Sequence, residues 1–418
     1  MKKDFNEFLK KDWLEFFFDQ FYFQDWKFWK NNFDLSYGGV FTCFDNLGEN
    51  LKSLDKYVWS QGRMLYILSF ALKNGYIKEE VEFYQNNTKK LYEFLEKNIF
   101  PYAKEGGVAF LLTQDGTVKE GFKSFYADCF IILGYCAYAD LLESSNPSLS
   151  DYIYSQALSL YERTLSYITN CQKNKIVMKT EPYNLPAGYS TQAIYMILVN
   201  TSYELGKKFP SVKTDATKFA KLILNDFFDE KTMLLKEIIP NDGKNTILGN
   251  HKNPGHAIEC MWFCYEALKE SRNKKYFHKI AEVIFSEFDL GWDKENGGLL
   301  RYIYDKKVPS GQTGFDELIK NTWSYKLWWP QAEAINALIL LSFEPEFSFC
   351  KMKARNYLSK IVEYTYKTFP LEKGKEWAQI RDSKGKPIDE VVALKVKDPY
   401  HILRMDLRAM SYFEKKKK

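Results

Sequence analysis

The chain of 418 residues carries 45% hydrophobic and 17% aromatic residues against 27% charged ones, a balance that fills a large core and excludes disorder. Its 59 basic and 54 acidic residues leave a net charge of +5, with four lysines in the run 415–418, so the body lacks the basic stripe that a nucleic-acid binder presents. Seven cysteines without Cys-x-x-Cys spacing give no disulfide framework and fit reduced core residues of a cytoplasmic protein, and the charged, aromatic stretch 1–30 reads as neither signal peptide nor membrane span.

Apolar residues at three- and four-residue spacing predict helices over 60–72, 122–142, 158–168, 191–205, 256–269, 330–343 and 354–369. Several are apolar on more than one face, as helices buried between neighbours are. Between them recurs a second element, a Gly-Gly pair followed by alternating apolar residues and an Asp-containing turn. It occurs at Gly38-Gly39-Val40, Gly106-Gly107-Val108 and Gly297-Gly298-Leu299, with a fainter copy from Trp377 to Asp382. These read as short β-hairpins in the loops.

The pairs are separated by 68 and then 191 residues, the second close to three periods of about 64. About six units then fit the chain, each a helix pair that cannot bury its apolar stripe alone. Six helical hairpins closed into a ring make an all-α (α/α)6 barrel with a central cleft. The expected organisation is a single catalytic domain over 1–414 followed by the lysine tail 415–418. The rival is a linear solenoid without a cleft, which the glycine-turn loops disfavour.

Four histidines occur, and imidazole exchanges protons near neutral pH. In Asn253-Pro254-Gly255-His256-Ala257-Ile258-Glu259, Asn253 reads as an N-cap and Pro254 as a first-turn residue, which puts His256 at the helix mouth with Glu259 one turn on. His401 follows Asp398-Pro399-Tyr400 and precedes Arg404 by three residues, a similar local design. Taken singly, each fits a structural histidine; the repetition is what singles out the pair. His278 reads as exposed, His251 is off the four-residue step of a helical metal pair, and no His-Glu-x-x-His occurs, so no catalytic metal is expected.

Two aromatic clusters complete the set. Lys326-Leu327-Trp328-Trp329-Pro330-Gln331-Ala332-Glu333 pairs stacking surfaces with a first-turn carboxylate, suited to a sugar ring but equally to a core tryptophan beside a helix N-terminus. Tyr57-Val58-Trp59-Ser60-Gln61-Gly62-Arg63 ends in an arginine at the start of an apolar helix, where a guanidinium needs an anionic partner.

These four segments resemble the motifs of the N-acylglucosamine 2-epimerase family: Asn-Pro-Gly-His-Ala-Ile-Glu at 253–259, Tyr-Val-Trp-x-Gln-Gly-Arg at 57–63, Lys-x-Trp-Trp-Pro-x-x-Glu at 326–333 and a terminal His-x-x-Arg at 401–404. The resemblance implies an (α/α)6 barrel holding an open-chain sugar, with His256 and His401 as acid and base at C2. It implies that Glu259 biases His256, that Arg63 stabilises charge on oxygen, and that Tyr57, Trp59, Lys326, Trp329, Glu333 and Arg404 bind substrate. It implies a homodimer without cofactor or membrane partner. Other branches of the family carry Asn-x-x-Met-His in mid-chain, where Asn184-Leu185-Pro186-Ala187-Gly188 is the best match here and lacks the histidine. That favours exchange of N-acetyl-D-glucosamine with N-acetyl-D-mannosamine, with Asn184 as a substrate ligand, over cellobiose or mannose chemistry. No Gly-x-x-x-x-Gly-Lys-Ser/Thr loop supports nucleotide control. The remaining alternatives are a ketose-forming isomerase, a hydrolase using Glu259 and Glu333, and a non-catalytic sugar- or protein-binding member.

Overall fold

A computed structural model of the chain describes residues 12–99 and 107–417. Six helices form an inner ring: α2 (Val58–Lys73), α4 (Phe125–Leu142), α6 (Gln192–Leu205), α8 (Pro254–Leu268), α10 (Trp328–Phe343) and α12 (His401–Lys417). Each packs on the next, and α12 returns to α2. Six more lie outside: α1 (Trp13–Asp19), α3 (Val81–Ile99), α5 (Pro147–Asn174), α7 (Pro210–Leu222), α9 (Lys274–Gly291) and α11 (Lys351–Thr368). Among the described residues this is the (α/α)6 barrel expected from the repeat. The circle closes between the chain's two ends, where α1 packs on α12 and Trp13 stacks on Phe413 at 6.0 Å between ring centroids.

The inner helices other than α12 are apolar nearly all round because they touch neighbours on both sides and an outer helix behind, whereas α12 carries Arg404, Asp406 and Arg408 into the ring. By length and composition α4 could cross a membrane, yet 78% of it is buried within the ring. It approaches α2 so closely that both need glycine: a Cβ on Gly62 would meet the Phe130 carbonyl oxygen at 2.7 Å, and one on Gly134 would meet that of Gly62 at 2.5 Å.

The Gly-Gly repeat has a structural cause. Gly38, Gly39, Gly297 and Gly298 all adopt positive φ, and the residue after each pair is bonded on its backbone by the fourth residue of an inner helix. Gln61 accepts from Val40 N and donates to Val40 O, both at 2.9 Å; Gln331 does the same to Leu299, at 3.0 Å each way. Asp128 of α4 accepts from Val108 N at 2.8 Å. Glu105 and Gly106 of the second copy lie outside the described residues. Strand pairing is shorter than the hairpins expected: β1 (Lys56–Tyr57) pairs with β2 (Leu111–Leu112), β2 with β3 (Val118–Glu120), and the loops at Gly38 and Gly297 close with single bridges, Phe33 to Val40 and Trp292 to Leu299. The faint fourth copy contributes β9 (Ile380–Arg381), which pairs with β8 (Lys326–Leu327) directly ahead of α10. Helix α12 runs across the boundary expected at 414, with Lys415 and Lys416 exposed on its last turn; Lys418 lies outside the described residues.

Candidate active site

Because strands lead directly into inner helices, those helices begin at one end of the ring, and their first turns enclose a cavity of about 220 Å³. The first two turns supply Trp59 and Arg63 from α2, His256 and Glu259 from α8, Trp329 from α10, and His401 and Arg404 from α12. Seven residues singled out in the sequence thus share one wall-to-wall space. The Trp329 ring centroid is 5.0 Å from that of His256 and 6.0 Å from that of His401, so the two imidazoles cannot be further apart than the sum of those distances.

His256 is placed as its sequence requires: Asn253 caps α8 by accepting from His256 N at 3.3 Å, and Pro254 occupies the first turn. Its imidazole is 30% exposed, and Nδ1 lies 2.8 Å from Glu237 Oε1. Glu237 is fixed by its own second oxygen, which accepts from Gln192 Nε2 at 2.9 Å, and by its carbonyl, which accepts from Gln192 N and Thr191 Oγ1. Burial raises the Glu237 pKa, but His256 outweighs it and holds the carboxyl below its ordinary value. An ionised carboxylate only accepts, so Nδ1 carries the proton and Nε2 is the nitrogen left for chemistry.

His401 repeats the arrangement with different parts. Its Nδ1 lies 2.7 Å from Glu333 Oε1, and Glu333 also accepts from Arg404 Nη2 at 2.6 Å and Trp262 Nε1 at 2.8 Å. Burial works against ionisation of Glu333, but Arg404 and His401 prevail and lower it to about 2. His401 N donates to Asp398 Oδ2 at 3.0 Å, and Asp398 Oδ1 accepts from Arg63 Nη1 at 2.8 Å. Arg63 Nη2 lies 3.5 Å from His401 Nε2, and its guanidinium covers the Phe130 ring at 4.0 Å. The anionic partner required of Arg63 is therefore Asp398.

Several expected roles need correction. Glu259 biases His256 through its charge, second to Glu237, but does not bond to it; its Oε1 accepts from Arg404 Nη2 at 2.6 Å. Arg404 is accordingly committed to Glu259 and Glu333. Glu333 is fully buried behind His401 rather than presented to a ligand. Lys326 is also fully buried, donating to Asp293 Oδ2 at 2.8 Å and to the Ser383 carbonyl. It duplicates Lys56, which donates to Asp34 Oδ2 at 2.7 Å and the Gly38 carbonyl; each lysine sits two residues before an inner helix and ties down the Gly-Gly loop. Tyr57 packs edge-on against Phe110 outside the cavity lining, and the exposed Asn184 donates to Glu181 Oε1. His251 is buried with Nδ1 on the Leu248 carbonyl at 2.7 Å, and His278 stacks on Phe349 at the surface.

Sequence reasoning missed Glu237, which no periodic pattern marks, and gave Asp398 no role although it stands in a quoted motif. Among the described residues, Glu259, Glu333 and His401 are the group of possible metal ligands, within 4.8 Å of one another. Arg404 already bridges the two carboxylates, so a guanidinium fills the position a cation would take.

Residues 39–405 match the family model described as N-acylglucosamine 2-epimerase (GlcNAc 2-epimerase). The N-acylglucosamine 2-epimerase of Rattus norvegicus is 27% identical over 398 residues, covering 90% of this chain and 86% of the relative. Among solved structures, cellobiose 2-epimerase from Bacillus thermoamylovorans superposes with a TM-score of 0.76 at 20% identity, covering 99% of this chain and 100% of the other. That from Spirochaeta thermophila superposes at 0.73 with 17% identity and 97% coverage of each. With the ring, the two carboxylate-held imidazoles and a match over nearly the whole length, the chain belongs to the N-acylglucosamine 2-epimerase family of sugar epimerases.

Proposed function

We propose that the protein interconverts N-acetyl-D-glucosamine and N-acetyl-D-mannosamine by moving the proton on C2 of the open-chain sugar. The observation that carries this reading is the pair of imidazoles on one cavity, each with Nδ1 on a buried carboxylate, which leaves Nε2 of His256 and, beside Arg63, Nε2 of His401 as the nitrogens for proton transfer. One neutral imidazole takes the C2 proton, placing the electron pair in an enolate with the C1 oxygen while the acetamido nitrogen stays on C2, and the other, protonated, returns a proton to the opposite face of C2. Proton taken equals proton returned, so the step needs no oxidant. Arg63 supports the negative charge that develops on oxygen, as a preorganised donor does. Trp329, against both rings, offers a face to the sugar.

The rival within the family, a ketose-forming isomerase, reprotonates at C1. A 2-acetamido group blocks that outcome because no hydroxyl remains on C2 to become a ketone. Incubation in deuterated water with N-acetylmannosamine and separately with mannose distinguishes the two. The expected result is deuterium at C2 and both N-acetyl epimers, with loss of turnover by at least about 100-fold in His256→Asn and His401→Asn. Fructose from mannose, with no reaction of N-acetylmannosamine, would overturn the reading.

A further inference from the structure

The cavity has two chemically different halves. Every charged side chain that lines it comes from α2, α8, α12 or the connecting segments, while α4 and α6 contribute none. From those two helices come Tyr126, Phe130, Ala193, Met196 and Ile197, together with one carboxamide, Asn200, which also borders a smaller space lined by Glu204, Glu266 and Arg408. Met196, Ile197 and Asn200 fall at the three- and four-residue steps that put them on one face of α6.

Asn200 is only 7% exposed, and no described residue bonds to its side-chain amide. Other helical asparagines show what a partnerless amide ordinarily does. Those of Asn87 and Asn98, and of Asn74 just after α2, each donate at 2.8 Å to the carbonyl four residues back, while the amide of the buried Asn336 on α10 donates to no described residue. The neighbours of Asn200 do likewise: Thr201 bonds the Ile197 carbonyl and Ser202 that of Leu198. Asn200 alone in this stretch turns from its own helix into the cavity. A buried carboxamide without a partner costs free energy unless something occupying the space bonds to it.

We infer that Asn200 and the apolar side chains of Tyr126, Phe130, Met196 and Ile197 form the subsite for the N-acyl group, the carboxamide hydrogen-bonded to the acyl amide and the acyl methyl set on the apolar wall. The inference rests on the N-acylhexosamine reading above and adds to it the residue that recognises the acyl group. It also explains the division of the cavity: proton transfer needs the charged half, whereas an acetamido group needs one hydrogen bond in an otherwise apolar recess.

The test compares wild type with Asn200→Leu and, because leucine could crowd the helix, Asn200→Ala. Two measurements are made on each variant: KM and kcat for N-acetylmannosamine, and binding of two unreactive alditols, N-acetylglucosaminitol and glucitol, by quenching of the cavity tryptophans. The expected result is a rise in KM of about tenfold, equivalent to 1.4 kcal/mol, with kcat changed less than about threefold and the preference for the acetylated alditol lost. Unchanged KM and unchanged alditol preference in a folded variant would overturn the subsite. Wild-type protein that binds the acetylated alditol through Asn200 without epimerising N-acetylmannosamine would instead overturn the proposed reaction and leave the subsite standing. Wild type that does not prefer the acetylated alditol would remove the subsite outright.

Discussion

Glu237 stands 19 residues before His256 and meets its Nδ1 at 2.8 Å, so the imidazole takes its partner from the segment ahead of α8 rather than from its own helix. Burial favours loss of the imidazolium proton, but the Glu237 carboxylate outweighs it and holds His256 above its ordinary value. Glu237→Gln keeps the shape and removes the charge. We expect turnover to fall about 100-fold, the scale of general acid–base assistance. In the direction where His256 acts as acid, the alkaline limb of the rate profile moves to lower pH. The sign carries over to stability: a raised folded pKa stabilises below about pH 6.5, the unfolded value, and that contribution disappears as pH rises through the folded one. Glu237 is held below its ordinary value, so its share is lost as pH falls through its folded pKa; the unfolding free energies of wild type and variant should therefore differ most between that range and about pH 6.5 and converge in alkali. A profile that does not move would remove Glu237 from the proton-transfer step.

Lys56 and Lys326 show why a motif can be legible and its role misread. Both lysines stand two residues before an inner helix, and in both copies the partner Asp precedes the first Gly of the pair by four residues. Set side by side, the two stretches explain Lys326 as a loop anchor, and Lys326→Met and Lys56→Met should cost similar stability, about 3–5 kcal/mol each, as removal of one member of a buried pair does. KM for the sugar in folded Lys326→Met should stay within about twofold of wild type. A selective rise in KM would restore the lysine to the substrate.

Five of the six inner helices were visible in the sequence because apolar residues on every face give an unbroken signal; the charged α12 was marked only by the proline ahead of His401. The outer ones were harder: α3 buries Tyr84, Thr88, Leu91 and Leu95 along one stripe among lysines and glutamates, and α5 was found only over its central third because its first turn is polar after the Asn146 cap. Glycine pairs were legible since positive φ is a local demand. The site divided similarly. His256, His401, Arg63 and Trp329 announce themselves by residue type at helix starts, whereas the Glu237 contact depends on how β7 (Ile238–Pro240) pairs with β4 (Tyr189–Thr191), a long-range choice with no sequence period. Arg404 looked like a ligand for sugar because its two carboxylates, Glu259 and Glu333, come from other helices.

Arg301 joins three segments around the cavity. Nη1 donates to Thr322 Oγ1 at 3.0 Å, and Nη2 donates to Tyr183 Oη at 2.7 Å and to the Val392 carbonyl at 2.9 Å. Tyr183 and Val392 both line the cavity from surface loops. Arg301→Leu should loosen those loops, with faster amide exchange confined to 180–188 and 390–397 and a several-fold higher KM. Lysine should not rescue it, because one ammonium cannot span contacts made by a planar fork. Exchange unchanged in both loops would show that Arg301 does not hold them.

Asp25 and Asp406 form a buried carboxyl pair outside the cavity lining. Asp25 ends a π-helical segment, Gln20–Asp25, that packs on α12, and none of the described donors reaches either of its carboxyl oxygens. Burial, and then the Asp406 charge, push Asp25 well above the carboxylate range; burial does the same to Asp406. Two such groups in contact share a proton, because both cannot ionise without water or a cation. The sign is opposite to that of a salt-bridged aspartate: the native state binds the extra proton, so stability is lost as pH rises from the unfolded carboxyl value of about 3.9 towards the folded one. Asp25→Asn supplies a permanent donor and removes the repulsion. It should leave stability near pH 4 almost unchanged and raise it at pH 8 by about 1–3 kcal/mol, with chemical denaturation at the two pH values as the measurement. A variant less stable than wild type at pH 8 would show that the Asp25 carboxylate gains more from the Lys397 ammonium than it loses in repulsion.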